Sequence, residues 1–238
     1  MLVLAFAAVV LAAAGQAITG FGFVLVAVPL LTLLTGEPRT SVVACTTLGL
    51  VMTSFGWYED RAAVEWRPIT GISIGAAVGI PLGLVVFASL PVDALGLVIG
   101  VTVLFFTALL ALRVRVPGGR PTQVAAGTVS GAMLATTGMN GPPLVLALHT
   151  TGLAPAAFRA TLQAMFTLQA VVVVTAFAAL GQFTATSAAL IAVGVPALWL
   201  GWRLGDLVFD RLPPERARKL VLGTLAISGT LAVISALT

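Results

Sequence analysis

The chain of 238 residues is 59% hydrophobic and only 8% charged, with a net charge of +4 and a mean hydropathy of +1.13. A soluble domain carries about 25% charged residues, so this composition excludes a soluble globular protein. The basic residues lie in short loops beside uncharged runs, which is typical of membrane orientation signals and not of nucleic-acid binding. We therefore expect an integral membrane protein whose partner is the lipid bilayer and which binds no nucleic acid.

The first uncharged run covers residues 1–36 and is too long for one ordinary span. As a straight helix it would be about 50 Å long, against a hydrocarbon core of about 30 Å. Gly15, Gly20 and Gly22 interrupt it within the segment GQAITGFGF, and each costs about 1 kcal/mol in a helix interior. The N-terminal stretch lacks the positive segment of a signal peptide, so we expect it to be retained. The run predicts a broken-helix hairpin over residues 2–35.

A second long run, residues 121–158, is interrupted by TTGMNGPP at Thr136 to Pro143. It predicts a second hairpin over residues 123–150. Three glycines of the first run recur 116 residues later: Gly15, Gly22 and Gly36 correspond to Gly131, Gly138 and Gly152. The tripeptide GIP at 79–81 likewise corresponds to GVP at 194–196. Several matches at nearly the same offset predict an internal repeat.

Each hairpin is followed by three ordinary hydrophobic segments, which uncharged runs of this length predict to be transmembrane helices. The first repeat therefore covers residues 1–112, residues 113–122 form a cytoplasmic linker, and the second repeat covers residues 123–238. The predicted spans are 41–58, 69–89 and 93–112 in the first repeat and 159–180, 185–208 and 217–237 in the second.

The distribution of basic residues distinguishes a crossing segment from a re-entrant one. If both broken segments cross the membrane, the 12 Lys and Arg residues divide 7 to 5 between the two sides; if both are re-entrant, they divide 11 to 1. The second division is typical of cytoplasmic loops and places both termini outside the cell. Each half then crosses an odd number of times. The predicted fold is an all-α integral membrane protein of two inverted repeats, each a re-entrant broken-helix hairpin plus three transmembrane helices.

The returning arm of each hairpin begins with free backbone N–H groups at the positive end of a helix dipole. Glycine lets a ligand approach the backbone closely, and Pro142 and Pro143 suit the first turn of a helix. Such helix ends bind anions without a buried lysine. If the repeats are inverted, the two tips approach each other near the membrane midplane, as in secondary transporters. The alternative is that the glycines serve as hinges or close-packing contacts.

The segments GQAITGFGFVLVAVPLL, from Gly15, and GAMLATTGMNGPPLVLAL, from Gly131, resemble the paired glycine-rich motifs of the TauE/SafE family. The resemblance extends over nearly the whole chain, although the first tip reads Gly-Phe-Gly-Phe where many relatives carry a richer glycine run. It implies export of sulfite or of a small organosulfonate such as sulfoacetate, across the inner or plasma membrane of the cell. An oxyanion substrate agrees with the helix-end argument.

Candidate substrate-binding residues lie at the two tips and on the neighbouring spans. Asn140 is either a donor to the anion or a turn residue that caps its own backbone, and the threonines donate to the anion or bond within their helix. Gln163 is costly in lipid, so we expect it in a cavity, and Arg159 either recruits anions or anchors the topology. The candidates are Thr19, Gly20, Phe21, Gly22, Thr46, Thr136, Thr137, Gly138, Met139, Asn140, Gly141, Gln163 and Arg159.

Other functions are less well supported. The chain shows no convincing nucleophile and base and no paired metal ligands, so we expect no enzyme, no metal and no cofactor. The single histidine, His149, is either a proton relay or a structural residue. Arg203 and Asp206 are expected to pair with each other. A membrane scaffold or assembly subunit, or a permease for another small anion, remains the alternative function, and the sequence leaves homo-oligomer formation open.

Overall fold

The computed structural model describes residues 1–19, 21–112 and 116–209, together with 223, 226, 227, 229–231, 233 and 234. These residues form α-helices joined by short turns and include no strand. A single 3-10 turn at Arg61–Ala63 joins the third and fourth helices. The helices are α1 Leu2–Thr19, α2 Phe23–Thr35, α3 Pro38–Asp60, α4 Trp66–Ser89, α5 Val92–Leu112, α6 Arg120–Thr137, α7 Gly141–His149, α8 Pro155–Ala179 and α9 Ala185–Phe209.

Five of these helices are long and apolar enough to cross a membrane, namely α3, α4, α5, α8 and α9. They coincide with five of the six predicted spans. The sixth predicted span, 217–237, lies for the most part outside the described residues. The shorter α2 and α7 have 13 and 9 residues, or about 20 Å and 14 Å, and neither crosses a core of about 30 Å alone.

Both predicted breaks are present, and both occur at a glycine in a left-handed conformation. Gly22 precedes α2 with φ of 108°, and Gly138 follows α6 with φ of 78°. The turns that follow α2 and α7 also correspond, because Gly36 and Gly152 in these turns have φ of 68° and 67°. Positions 116 residues apart therefore share a backbone conformation that L-residues rarely adopt. This agreement supports the predicted internal repeat.

The breaks are narrower than the sequence suggested. Gly15 lies within α1, so the first tip does not extend back to it, and Thr136 and Thr137 still belong to α6. A single glycine weakens a helix by only about 1 kcal/mol, which the rest of α1 offsets. Pro142 and Pro143 lie in the first turn of α7, as predicted. The second break is thus confined to residues 138–140.

The chain divides into two compact units, and each contains segments from both halves of the sequence. Unit 1 comprises Met1–Leu48, Leu90–Leu112 and Gln182–Thr238, and unit 2 comprises Gly49–Ser89 and Arg113–Gly181. In unit 1, α1 packs along α9; in unit 2, α6 packs along α4. When positions 116 residues apart are matched, α1 corresponds to α6 and α4 corresponds to α9. Each unit therefore contains one member of each corresponding pair, packed against the other. The repeat boundaries themselves, 1–112 and 123–238, stay a prediction.

Close packing in unit 2 depends on glycines at every fourth position of α4. A Cβ atom on Gly75, Gly79 or Gly83 would overlap a backbone carbonyl oxygen of α6. The two helix backbones therefore touch, and Thr136 Oγ1 of α6 lies 3.1 Å from the Gly83 carbonyl oxygen across this contact. This is the small-residue packing that membrane helices use in the absence of a hydrophobic driving force.

Unit 1 uses the same device with different residues. A Cβ on Gly201 of α9 would lie 2.7 Å from the Ala13 Cβ of α1, and a Cβ on Gly205 would lie 2.6 Å from the Ala17 Cβ. Both distances are shorter than real Cβ contacts. The helix before each break, α1 or α6, is therefore held against a long helix by glycines of that long helix.

Candidate functional site

A side-chain hydrogen bond connects the two helices at the first break. The Phe23 N–H, at the start of α2, donates to Gln16 Oε1 at 3.0 Å. Gln16 lies on α1, seven residues earlier, and is 4% exposed. Its other amide atom, Nε2, is buried and has no hydrogen-bond partner among the described residues. The Gln16 amide therefore lies at the N-terminus of α2. Its oxygen accepts the Phe23 N–H, whereas its N–H₂ group has no acceptor among the described residues.

The N-terminus of α2 also carries backbone donors. The first intrahelical bond runs from the Val26 N–H to the Gly22 carbonyl at 3.3 Å. The N–H groups of Gly22, Val24 and Leu25 consequently have no acceptor within the helix. A Cβ built on Gly22 would meet no described atom within 4 Å. The backbone at this break is therefore open on the side where a side chain would lie.

The second break is held by a chain of polar side chains. Asn140 Nδ2 donates to Gln169 Oε1 of α8 at 3.1 Å, and Gln169 Nε2 donates to Ser130 Oγ of α6 at 3.1 Å. Gln169 and Ser130 are buried. The Asn140 side chain makes no cap bond to α7, so the interpretation of Asn140 as a cap of its own backbone is wrong. Asn140 instead makes its side-chain hydrogen bond to α8.

The N-terminus of α7 has fewer backbone donors than that of α2. The first four positions of a helix normally leave four N–H groups without an intrahelical acceptor. Here two of the four are Pro142 and Pro143, which have no N–H, so only Asn140 and Gly141 contribute donors. Gly141 and Met139 are buried.

The threonines that precede the second break use their hydroxyl hydrogens within the protein. Thr137 Oγ1 donates to the Met133 carbonyl at 2.9 Å, and Thr136 Oγ1 to the Ala132 carbonyl at 2.8 Å. A hydroxyl has one hydrogen to donate. Of the two alternatives, bonding within the helix is therefore the one observed, and a role as donors to an anion is not supported.

At the first tip, part of the predicted site is outside the described residues. Gly20 and the side chain of Thr19 belong to that part. The Asp206 side chain does too, so the predicted Arg203–Asp206 pair is not addressed. Arg203 itself stacks over Trp199, with its guanidinium carbon 5.5 Å from the ring centroid. Phe21 lies half-buried in the turn before Gly22.

The candidates on neighbouring helices lie in different units. Thr46, in the part of α3 that belongs to unit 1, is 1% exposed, and its Oγ1 has no hydrogen-bond partner among the described residues. Gln163, in unit 2, is also 1% exposed and lies against Gly56, where a Cβ would be 3.3 Å from its Cδ. Gln163 therefore does not face lipid. A binding role for either residue stays a prediction.

Arg159 at the start of α8 forms an ion pair. Its Nε lies 2.9 Å from Asp60 Oδ2, and the two side chains are 51% and 31% exposed. The partner carboxylate offsets much of the positive charge that recruitment of anions would need. His149, at the end of α7, is exposed and stacks on Phe158 with ring centroids 4.7 Å apart.

Comparison with known proteins identifies the family. The family profile described as "Sulfite exporter TauE/SafE" matches residues 5–231. The chain belongs to the TauE/SafE family. A relative from Cupriavidus necator, named "Probable sulfite/organosulfonate exporter TauE", is 24% identical over 217 residues, which cover 88% of this chain and 85% of the relative. No solved structure matches the chain.

Sequence reasoning missed four polar residues of this TauE/SafE chain, namely Ser130, Gln169, Asp60 and Gln16. Gln169 and Ser130 are 39 residues apart in the chain, so their contact depends on the packing of α6 against α8 and has no signal in the sequence. Asp60 was missed as the partner of Arg159 for the same reason. Gln16, by contrast, carried a signal: it is the only amide or charged side chain among residues 1–36, and such residues within a membrane segment mark functional sites.

Proposed function

We propose that this protein exports a small oxyanion, such as sulfite or an organosulfonate of the sulfoacetate type, across the inner (plasma) membrane by alternating access. Membership of a family described as sulfite exporters and the name of the Cupriavidus necator relative support the substrate class. A membrane scaffold needs no binding site for a small oxyanion.

The observation that carries this proposal is the repeated break. Two apolar segments are broken at a left-handed glycine, Gly22 and Gly138, and a new helix follows each break. Helix N-termini at membrane depth supply N–H donors and a positive dipole end to an anion, as broken helices do in secondary transporters. The two arms of each broken segment also contact each other, which a hairpin requires. A shared site of the two tips at the midplane stays a prediction.

Transport is tested with purified protein in liposomes that are loaded with sulfite. We expect sulfite efflux that depends on the protein and is inhibited by methanesulfonate or sulfoacetate. A protein without efflux of any of these anions, although inserted and folded, would favour the scaffold alternative. Efflux of another anion but not of sulfite would retain the transporter and reject the substrate.

The proposed topology has re-entrant hairpins, inverted repeats and both termini outside. In a Cys45→Ala background, single cysteines introduced by Ala62→Cys and Gly118→Cys should react with an impermeant thiol reagent from the cytoplasm only. A cysteine introduced by Phe183→Cys should react from outside only. All three positions are exposed in the structure. Labelling of position 62 or 118 from outside would contradict the hairpins and, with them, the inverted repeats.

A further inference from the structure

We propose that Gln16 is a substrate-binding residue, whose amide N–H₂ group selects oxygen-bearing anions at the N-terminus of α2. This inference rests on the proposed anion transport and adds a residue and a selectivity to it. It concerns the first break only, within unit 1.

The orientation of the Gln16 amide is determined by its partner. The Phe23 N–H requires an acceptor and finds one 3.0 Å away, so the atom at that position is Oε1 and the atom on the other side is Nε2. Nε2 is a buried donor without a partner among the described residues, on a side chain that is 4% exposed. Buried polar groups are almost always paired, and an unpaired one is costly. A ligand that accepts a hydrogen bond would remove this cost.

Other donors lie in the immediate neighbourhood of the Gln16 amide. The amide bonds the first residue of α2, so it lies at the same helix end as the N–H groups of Gly22, Val24 and Leu25, which have no acceptor within α2. Space for a ligand exists beside Gly22, where a Cβ would meet no described atom within 4 Å. The 13 residues of α2 add the positive end of their dipole.

The chemistry of these donors indicates the class of ligand. Residues 1–36 contain no Lys or Arg, so the donors are neutral and directional. A sulfonate or sulfite group presents three oxygens that accept hydrogen bonds from several directions, whereas a cation or an apolar molecule gains nothing from such a set. The equivalent of Gln16 in the second repeat is Ala132, so this amide donor occurs in one repeat only.

The test replaces the donor and retains the acceptor. Gln16→Glu keeps an oxygen for the Phe23 N–H but converts the N–H₂ group into a second oxygen, which repels an anion. Binding is measured as the methanesulfonate dependence of the thermal stability of the purified protein, because a ligand of the folded state raises its stability. Methanesulfonate stays ionised over the whole working pH range. We expect its affinity to fall by at least about 10-fold at neutral pH, the effect of losing a hydrogen bond to a charged group.

A pH profile separates this role from a structural one. When the introduced carboxyl is protonated at low pH, it again offers a donor, so we expect the affinity of the Gln16→Glu protein to recover while that of the wild type stays constant. Gln16→Met, which has similar length and no polar atom, should lose affinity at every pH. Gln182→Glu, which introduces the same charge in the half-exposed turn between α8 and α9, is the matched control and should bind as the wild type does.

The outcomes distinguish the two proposals. Wild-type affinity in both Gln16 variants, in protein that exports sulfite, would overturn the role of Gln16 and leave the transporter intact. A folded wild-type protein that neither binds methanesulfonate nor exports sulfite would overturn the proposed function itself. If Gln16→Glu does not fold, Gln16→Met decides, and a pH-independent loss of affinity without loss of thermal stability supports the inference.

Discussion

The two breaks share a backbone but differ in the side chains that support them. At the first break, Gln16 supports the start of α2 and keeps a donor open, and α2 retains three backbone donors. At the second break, Asn140 is tied to Gln169, and two prolines remove backbone donors from α7. The same turn geometry is therefore combined with an unpaired buried donor at the first break and with an internal side-chain anchor at the second.

The largest expected effect concerns the close packing of α4 on α6 and of α9 on α1. Gly79→Ala would drive a Cβ into the Thr128 carbonyl of α6, so α4 and α6 must separate. Overpacking of this kind costs typically about 1–3 kcal/mol and occasionally more. We expect a clearly lower melting temperature and less folded protein. Gly201→Ala, which meets α1 in unit 1, should also destabilise.

A matched control for these variants is Gly15→Ala. Gly15 lies within α1, and its Cβ would meet no described atom within 4 Å, so alanine should be neutral or stabilise by up to about 1 kcal/mol. If Gly79→Ala and Gly15→Ala melt at the same temperature, the close contact of α4 and α6 is incorrect.

The second prediction compares the two left-handed glycines. Gly22→Val and Gly138→Val should both abolish transport, because a β-branched residue resists positive φ. Asparagine tolerates the left-handed αL region better than it tolerates larger positive φ values. The φ of Gly138, 78°, lies closer to the αL region than the φ of Gly22, 108°. Gly138→Asn should therefore retain more sulfite efflux per inserted protein than Gly22→Asn. The reverse order would show that the breaks do not differ in backbone strain.

The third prediction tests the anchor of the second break. A double-mutant cycle of Asn140→Ala and Gln169→Leu should give a coupling energy of about 0.5–1.5 kcal/mol in thermal or chemical unfolding. A cycle of Asn140→Ala with Thr107→Val, whose hydroxyl bonds the Val103 carbonyl within α5, serves as control and should give none. Additive losses in the first cycle would reject the bond between Asn140 and Gln169.

The smallest effect is expected at Arg159. Arg159→Gln should weaken apparent anion affinity by only a few-fold at low salt and not at high salt, because exposed charges are screened within about 8–10 Å at physiological ionic strength. Asp60→Asn is the matched variant. It removes the carboxylate that offsets the Arg159 charge, so it should raise the affinity under the same conditions. Unchanged affinity in both variants at low salt would leave Arg159 as a topology anchor.

Much of the architecture follows from the sequence. The uncharged runs predicted five helices that the structure shows to be long and apolar enough to cross a membrane, since run length and hydrophobicity determine which helices can do so. The glycines at 22 and 138 predicted both breaks, because positive φ is a property of single residues. The prolines of α7 were likewise placed correctly at its start.

The sequence could not predict contacts between distant segments. Alanine in place of glycine is normally neutral or stabilising in the middle of a helix, but at Gly100 of α5 a Cβ would lie 2.7 Å from Val233 Cγ2 and 2.8 Å from its backbone nitrogen. Whether a glycine packs against another backbone or faces open space depends on distant neighbours, such as Val233 for Gly100.

The polar side chains show the same division. The sequence by itself determined that Gln16, Asn140 and Gln163 lie in apolar surroundings, where a polar group requires a partner. Only the tertiary structure decided the partners of two of them: the Phe23 N–H for Gln16 and the Gln169 side chain for Asn140. Helix periodicity and hydropathy are local properties, whereas a hydrogen bond across a break or between helices depends on how the whole chain packs.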